Sequence, residues 1–375
     1  MANTNFGVND PLAVKRWSNI LFEEALKETQ AYKFIGGSDN VVVMKDDVSK
    51  QKGDKVTYGL RMQLTQDPHV GDSTLRGEEE KLVTYSDAVL IDLVRHGVAI
   101  SNADMSEQRV PFDIRKEAKD GLQDYFVGLM DYWFFNQLCC FTPVSSPSGN
   151  NPGVTLGWTG QNTPPTVDSA HQIFAGSSTN DQSITTAGSS NVNMISLALI
   201  DSCILKAKTL TPMIRPIKIG ADKKYVLFIH PQQAEDLRTS ANGSVWLDLV
   251  KVAMQGRDKA HGADLIYGDA MGEYHNTIIY EDSRITNGVN SGSASTAITT
   301  VRRSVFCGAQ AACIAFGRNS ASRGDMKSPP IYWREQLDDY QMVFGVSANM
   351  IGGMKTSVFN NALFGSIIVS TYSAS

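Results

Sequence analysis

One run, residues 111–140, constrains this chain more than any other part of it. Pro111 and Asp113 stand where a helix should open. Proline suits the first turn because its missing amide has no partner to lose, and an acid suits the positive end of the helix dipole. Beyond them Ile114, Ala118, Leu122, Tyr125, Phe126, Leu129 and Trp133 form one apolar stripe, with Lys116, Lys119, Gln123 and Asp124 opposite. At about 1.5 Å per residue the rod is roughly 40 Å long. Its second half carries Phe, Trp, Tyr and Leu on nearly every side, so other parts of the chain must enclose it.

The periodicity changes in 53–96. Val56, Tyr58, Leu60, Met62 and Leu64 alternate with Thr57, Gly59, Arg61 and Gln63, the pattern of a half-buried strand. A polar stretch, 66–81, contains Asp67, Pro68, Gly71, Asp72, Gly77 and the acidic run Glu78, Glu79 and Glu80, and β-rich sequence returns from Leu82 to Val94. The spacing predicts a long two-stranded ribbon with an acidic tip. Such a ribbon is marginal alone in water and needs a surface to lie on.

Elsewhere the pattern mixes helix and strand. Residues 12–32, with Trp17, Ile20, Leu21 and Leu26, read as an amphipathic helix stopped by Gly36 and Gly37. Pro, Gly, Ser, Thr and Asn dominate 142–190, which reads as a long loop or insertion. A helix is expected over 194–208, a buried strand over 225–230, a helix opened by Pro231, and another over 244–255 capped by Ser244. Strands are expected within 301–316, 340–349 and 358–371. The fold class is α+β.

Charge and thiols narrow the function. Charged residues make up 19% of the chain, below the roughly 25% usual for globular proteins, which suits a surface largely covered in an assembly. With 34 basic against 39 acidic residues the net charge is −5. Lys223-Lys224 and Arg302-Arg303 read as isolated, so contact with DNA is expected to be weak and sequence-independent. The five cysteines are odd in number, Cys139 and Cys140 are adjacent, and all lie in apolar surroundings. They read as free thiols of a reducing cytoplasm. Residues 1–9 have neither the basic start nor the apolar stretch of a signal peptide, and no window is long and apolar enough to span a membrane.

A search for chemistry assigns no catalytic, cofactor-binding or metal-binding residue. The metalloprotease helix pattern, phosphate loop, nucleophile elbow and dinucleotide glycine fingerprint are absent. His261 with Asp264, and His69 with Asp67 and Asp72, read as solvated loops. Cys203, set between Ile200 and Ile204, reads as a packed thiol, although a nucleophile–base pair with His230 is the enzymatic alternative. Arg323-Gly324-Asp325 reads as a surface turn. Glu78, Glu79 and Glu80 are read as either a solvated run or the partner of a basic patch on a neighbouring subunit.

Several segments in order resemble one family. Val14-Lys15-Arg16-Trp17-Ser18 running into Phe22-Glu23-Glu24, then Gly53-Asp54-Lys55-Val56, are similar to the podophage-type branch of tailed-phage major capsid proteins. So are Met105-Ser106-Glu107-Gln108-Arg109-Val110-Pro111-Phe112-Asp113 and Phe134-Phe135-Asn136-Gln137-Leu138. Gly268-Asp269-Ala270-Met271-Gly272-Glu273-Tyr274, Phe306-Cys307-Gly308-Ala309-Gln310-Ala311, and Ile351-Gly352-Gly353-Met354-Lys355 through Phe359-Asn360 continue the likeness. The stretch 142–190 is the least matched.

The resemblance implies an N-terminal arm (1–52), an extended β-hairpin loop (53–96), a peripheral domain (97–141 and 321–375) with spine helix 111–140, and an axial domain (191–320). It implies self-assembly as hexamers and pentamers into an icosahedral head enclosing DNA. Trp17, Arg61, Glu78, Glu79 and Glu80 are the candidate intersubunit contacts. A portal and possible decoration proteins are the implied partners, with a separate scaffold or none, since the chain begins close to the arm. The implied location is the virion, after the host cytoplasm. An encapsulin-like compartment and a cytosolic cysteine-dependent enzyme are the alternatives.

Overall fold

The computed structural model describes residues 31–45, 54–71, 75–101, 108, 114–141, 160–184, 186–219, 222–239, 270–289, 297–317, 331–339 and 342–373. Strands β1 (Ile35–Gly36), β2 (Val42–Lys45), β3 (Lys55–Arg61), β4 (Thr84–Leu90) and β5 (Asp92–Ser101) precede the rod, α1 (Ile114–Leu138). After it come β6 (Gln172–Phe174), α2 (Leu197–Thr209), β7 (Ile217–Ile219), β8 (Asp222–Ile229) and α3 (Pro231–Thr239). Then follow β9 (Ala270–Tyr274), β10 (Thr277–Glu281), β11 (Asn287–Val289), β12 (Ala297–Cys307) and β13 (Ala312–Phe316). The chain closes with β14 (Ile331–Asp338), β15 (Val343–Thr356), β16 (Val358–Phe359), β17 (Ala362–Leu363) and β18 (Ser366–Tyr372). Residues 12–30 of the helix expected over 12–32 and all of that expected over 244–255 lie outside the described residues, as do Trp17, Pro111 and Asp113.

Two sheets flank the rod. One has the order β1-β2-β13-β15-β14, with β5 also paired to β15; the other has the order β6-β18-β12-β8-β10-β9, with β11 on β12 and β7 on β8. From Leu129 to Leu138 almost every α1 residue is buried, polar Asp131, Asn136 and Gln137 included. This is the enclosure that its aromatic composition requires. Phe34, Phe134, Phe135, Phe228 and Tyr280 interlock there. The Phe34 ring meets Phe228 at 4.9 Å and Tyr280 at 5.1 Å, both edge-on at 84°, the arrangement that aromatic quadrupoles favour.

β8 shows why a short apolar run reads as a buried strand. Its alternate residues serve two cores: Val226 and Phe228 pack toward α1, while Tyr225, Leu227 and Ile229 pack toward α2 and α3. Ser196 caps α2, its hydroxyl accepting the Leu199 amide at 3.3 Å. The first turn of α1 is tied to β14 by Arg115, whose Nη2 reaches both carboxylate oxygens of buried Glu335 at 2.6 and 2.8 Å.

The observed pairing departs from the sequence reading at several places. The paired ribbon ends at Leu90, because β5, read as part of 53–96, leaves it to form a ten-residue ladder with β15. The stretch 142–190 is not all loop: β6 lies parallel to β18, and Asp181 is buried. Asp181 Oδ2 accepts from Arg303 Nε at 2.8 Å and from the Val289 amide at 2.8 Å, so this stretch is fastened into the eight-stranded sheet. The run 286–300, whose Gly, Ser and Thr content reads as a loop, likewise contributes β11 and the start of β12. β13, which precedes residue 321, belongs to the sheet of β14 and β15, and β18 crosses back to the sheet of β8.

Candidate assembly interface

Among the described residues of 63–84, all but Glu80 are exposed. β3 and β4 pair only with each other, antiparallel, from Lys55↔Leu90 to Arg61↔Thr84, and the Met62 amide adds a rung to Val83 at 3.0 Å. On the inner face Val56 and Val89 are buried against Cys313 and Ala315 of β13. The alternation continues to Met62 and stops there: Leu64 is 57% exposed.

A polar clasp holds the ribbon root. Lys355 of β15 donates to Asp87 Oδ1, while Tyr58 Oη at 3.0 Å and the Val358 amide at 3.1 Å donate to Oδ2. Burial, followed by the neighbouring Asp87 charge, pushes the Tyr58 phenol far above its ordinary range. Asn162 acts as a substitute strand residue: its Nδ2 donates to the Leu90 carbonyl and its Oδ1 accepts the Leu90 amide, both at 2.9 Å. Gln137 of α1 holds that loop in turn, its Nε2 donating to the Asn162 carbonyl at 2.6 Å. A side chain at Gly353 would have its Cβ 2.0 Å from the Leu90 carbonyl oxygen, so only glycine lets β15 approach the ribbon this closely. Beside the clasp opens a cleft of about 480 Å³ lined by Lys55, Thr57, Ser86, Asn162, Thr163 and Lys355 among others.

At the tip the three glutamates have separate roles. The Glu80 carboxylate accepts the amides of Thr65 at 2.8 Å and Gln66 at 3.0 Å, which close the loop and hold its pKa below the usual carboxylate value. Glu79 Oε2 accepts the Gly77 amide at 2.7 Å. Glu78 lies 4.0 Å from His69, exposed. Arg61 is exposed at the end of β3, and Trp17 lies outside the described residues. Around these charges Leu64, Val70, Leu75 and Leu82 are 57, 85, 58 and 53% exposed, an apolar tip without cover from the described chain.

The enzymatic alternative fares differently. Cys203 is 1% exposed, and burial pushes its thiol up to about 12, the opposite of an activated nucleophile. His230 Nδ1 accepts the Gln232 amide at 3.2 Å, and burial followed by the Arg302 charge lowers its pKa to about 4. All five cysteines are free and buried. Among the described residues no group of three or more His, Cys, Asp or Glu is placed to hold a metal ion, and no helix is long and apolar enough to cross a membrane. His261 and Asp264 lie outside the described residues.

Sequence reasoning singled out the tip acids but missed Asp87, Asn162 and Lys355. Their partners stand far away in sequence, and only the Gly-Gly-Met-Lys segment 352–355 hinted at the last.

The sequence profile of a phage capsid protein family matches residues 5–375. The major capsid protein of Pseudomonas phage KPP25 is 24% identical over 354 residues, covering 90% of this chain and 88% of that protein. The capsid of Ralstonia phage GP4 superposes with a TM-score of 0.72 at 28% identity, covering 100% of this chain and 99% of that one. The capsid subunit of cyanophage Pam1 does so with a TM-score of 0.65 at 18% identity, covering 93% of each.

Proposed function

The chain belongs to this phage capsid protein family and is a head shell subunit, and from that premise we propose that it assembles as hexamers and pentamers of an icosahedral head around a DNA genome. In this reading residues 1–52 are the arm and the ribbon is the extended loop. The six-stranded sheet with α1 forms the peripheral domain, and the eight-stranded sheet, including β18, forms the axial one. The contacts are heterologous and close by rotation. The role is structural, without turnover. Its partners are further copies of itself, a portal, scaffold or decoration proteins, and packaged DNA. The subunit passes through the host cytoplasm before it enters the virion.

The observation that carries this reading is the ribbon. It has a firmly anchored root and an exposed apolar tip that its own chain does not cover. A two-stranded ribbon is marginal alone, and apolar tips of this kind mark interaction surfaces. Lying across a neighbouring subunit supplies the missing cover, with Arg61 and Glu78 at the contact and Trp17 as the arm's candidate. The test is electron microscopy of sedimented material from cells expressing the chain. Closed shells, tubes, or rings of five and six subunits are expected. A monodisperse monomer or dimer, even beside a co-expressed scaffold, would overturn the reading, and enclosed protein cargo would redirect it to a compartment shell.

A further inference from the structure

Basic charge is unevenly placed along this chain. Residues 206–224 hold six of the 34 basic residues and one of the 39 acidic ones, a local charge of +5, which leaves −10 for the remainder. The stretch runs from the end of α2 through β7 into β8, with the basic residues spaced apart rather than in one run.

The fold gathers these residues. The Ile214 amide donates to the Ala207 carbonyl at 3.0 Å, bringing Lys208 beside Arg215. The Tyr225 hydroxyl donates to the Ile214 carbonyl at 3.2 Å, joining that loop to β8. In the β7–β8 ladder Lys218 stands directly opposite Lys223, so the two project to one face. Two members of the stretch are engaged: Lys224 with Glu273 at 2.7 Å, and Lys206 with the Gln172 carbonyl at 2.9 Å. Lys208, Arg215, Lys218 and Lys223 are exposed. Only Lys218 has an ion-pair partner among the described residues, Asp39 at 3.6 Å, itself half-exposed. Like charges paired directly across a ladder repel, and a bound polyanion relieves that cost.

We propose that the strip formed by Lys208, Arg215, Lys218 and Lys223 faces the interior of the shell and holds the phosphate backbone of the enclosed duplex DNA. The proposal rests on the reading of the chain as a subunit of a DNA-filled head. No aromatic residue occurs in 205–224, so the strip has no platform on which unpaired bases stack. Lysine and arginine without base-reading partners make contacts that are indifferent to sequence. The competing occupant, the acidic ribbon tip of a second copy, fits less well. Glu79 and Glu80 already accept backbone amides of their own loop.

Two measurements test this on the full-length chain. In the first, binding of a short fluorescent duplex is followed by anisotropy between about 50 and 200 mM salt. Each phosphate contact contributes about −0.9 to the slope of log K against log salt, so a slope near −3 to −4 is expected. The triple variant Lys208→Gln, Arg215→Gln, Lys223→Gln should lose most of that slope and at least about tenfold in affinity at the low-salt end. An unchanged slope overturns the proposal.

The second measurement places the strip on one side of the shell. The five native cysteines are buried, so Lys223→Cys offers one accessible thiol. On closed empty shells a maleimide coupled to a large polymer should leave it unmodified until the shells are opened; labelling from outside overturns the proposal. Micrographs of the same preparations separate the two readings. Wild-type chain that forms no shells removes the shell reading and this proposal with it. Wild-type shells that the triple variant cannot form assign the strip to a subunit contact and overturn the proposal alone.

Discussion

Lys355 and Asp87, 268 residues apart in sequence, meet in an ion pair at the root of the ribbon. Asp87 also accepts from Tyr58 and the Val358 amide, so one carboxylate joins β3, β4, β15 and β16. The ribbon therefore leaves the body from a fixed root, while its tip is held by local bonds.

Removing that carboxylate should loosen the ribbon more than the body. Asp87→Ala leaves the Lys355 ammonium and the Val358 amide without their acceptor in a partly buried setting, at a cost of about 1–3 kcal/mol. Amide hydrogen exchange should rise across 84–90 while α1 amides stay protected. Equal protection in variant and wild type would show that Asn162 alone holds the root.

The tip should respond separately. Glu80→Ala removes the acceptor for the Thr65 and Gln66 amides, and exchange at those two positions should quicken. The thermal midpoint should stay at the wild-type value, since exposed loop bonds contribute little to global stability. A fall in that midpoint would place the tip in the cooperative core.

Phe134 is fully buried and edge-packed on Phe135 at 5.1 Å and Phe228 at 5.7 Å. Phe134→Ala should cost about 3–5 kcal/mol through lost transfer energy and the cavity left behind. Denaturant unfolding with an unchanged m-value is the check.

The thiols should be silent in the folded chain. With Cys203 and Cys313 both pushed up to about 12 by burial, neither forms appreciable thiolate at pH 8. Iodoacetamide should modify no cysteine until denaturant is added, after which all five react. Selective native labelling of Cys203 would revive the enzymatic alternative.

Acid should weaken the fold partly through His230. Its folded value, about 4, lies below the unfolded 6.5, so the unfolded chain binds the proton more readily. Its contribution is intact above about pH 6.5 and is lost as pH falls toward 4. His230 is half-buried, so solvent screening keeps the effect small. His230→Gln should flatten the fall of the thermal midpoint between pH 6.5 and 4; an unchanged profile would overturn the role given to His230.

Legibility in the sequence followed length and locality. The rod showed because twenty-five residues repeat one stripe and then turn apolar on nearly every side, and β8 showed because a buried run stops at Pro231. The end of the ribbon did not show. Only Ile91 separates β4 from β5, and no turn residue marks where the chain changes partners. β6 is three residues long inside polar sequence, too short for a period to register. Arg303–Asp181 and Lys355–Asp87 arise from tertiary pairing with no local trace. The basic strip escaped because its charges are spread over nineteen residues, with apolar residues between them, and form no run.

The placement of β18 has a consequence in time. It lies between β12, antiparallel to it, and β6, parallel to it, and it follows both in sequence. During synthesis, at about 5–20 residues per second, β6 and β12 emerge before the strand that pairs with both of them. Its loss would remove the ladder partners of Ile173 and Phe306. A chain cut short of Ser366 would leave facing edges of β12 and β6 unpaired, two open strand edges in place of one buried strand.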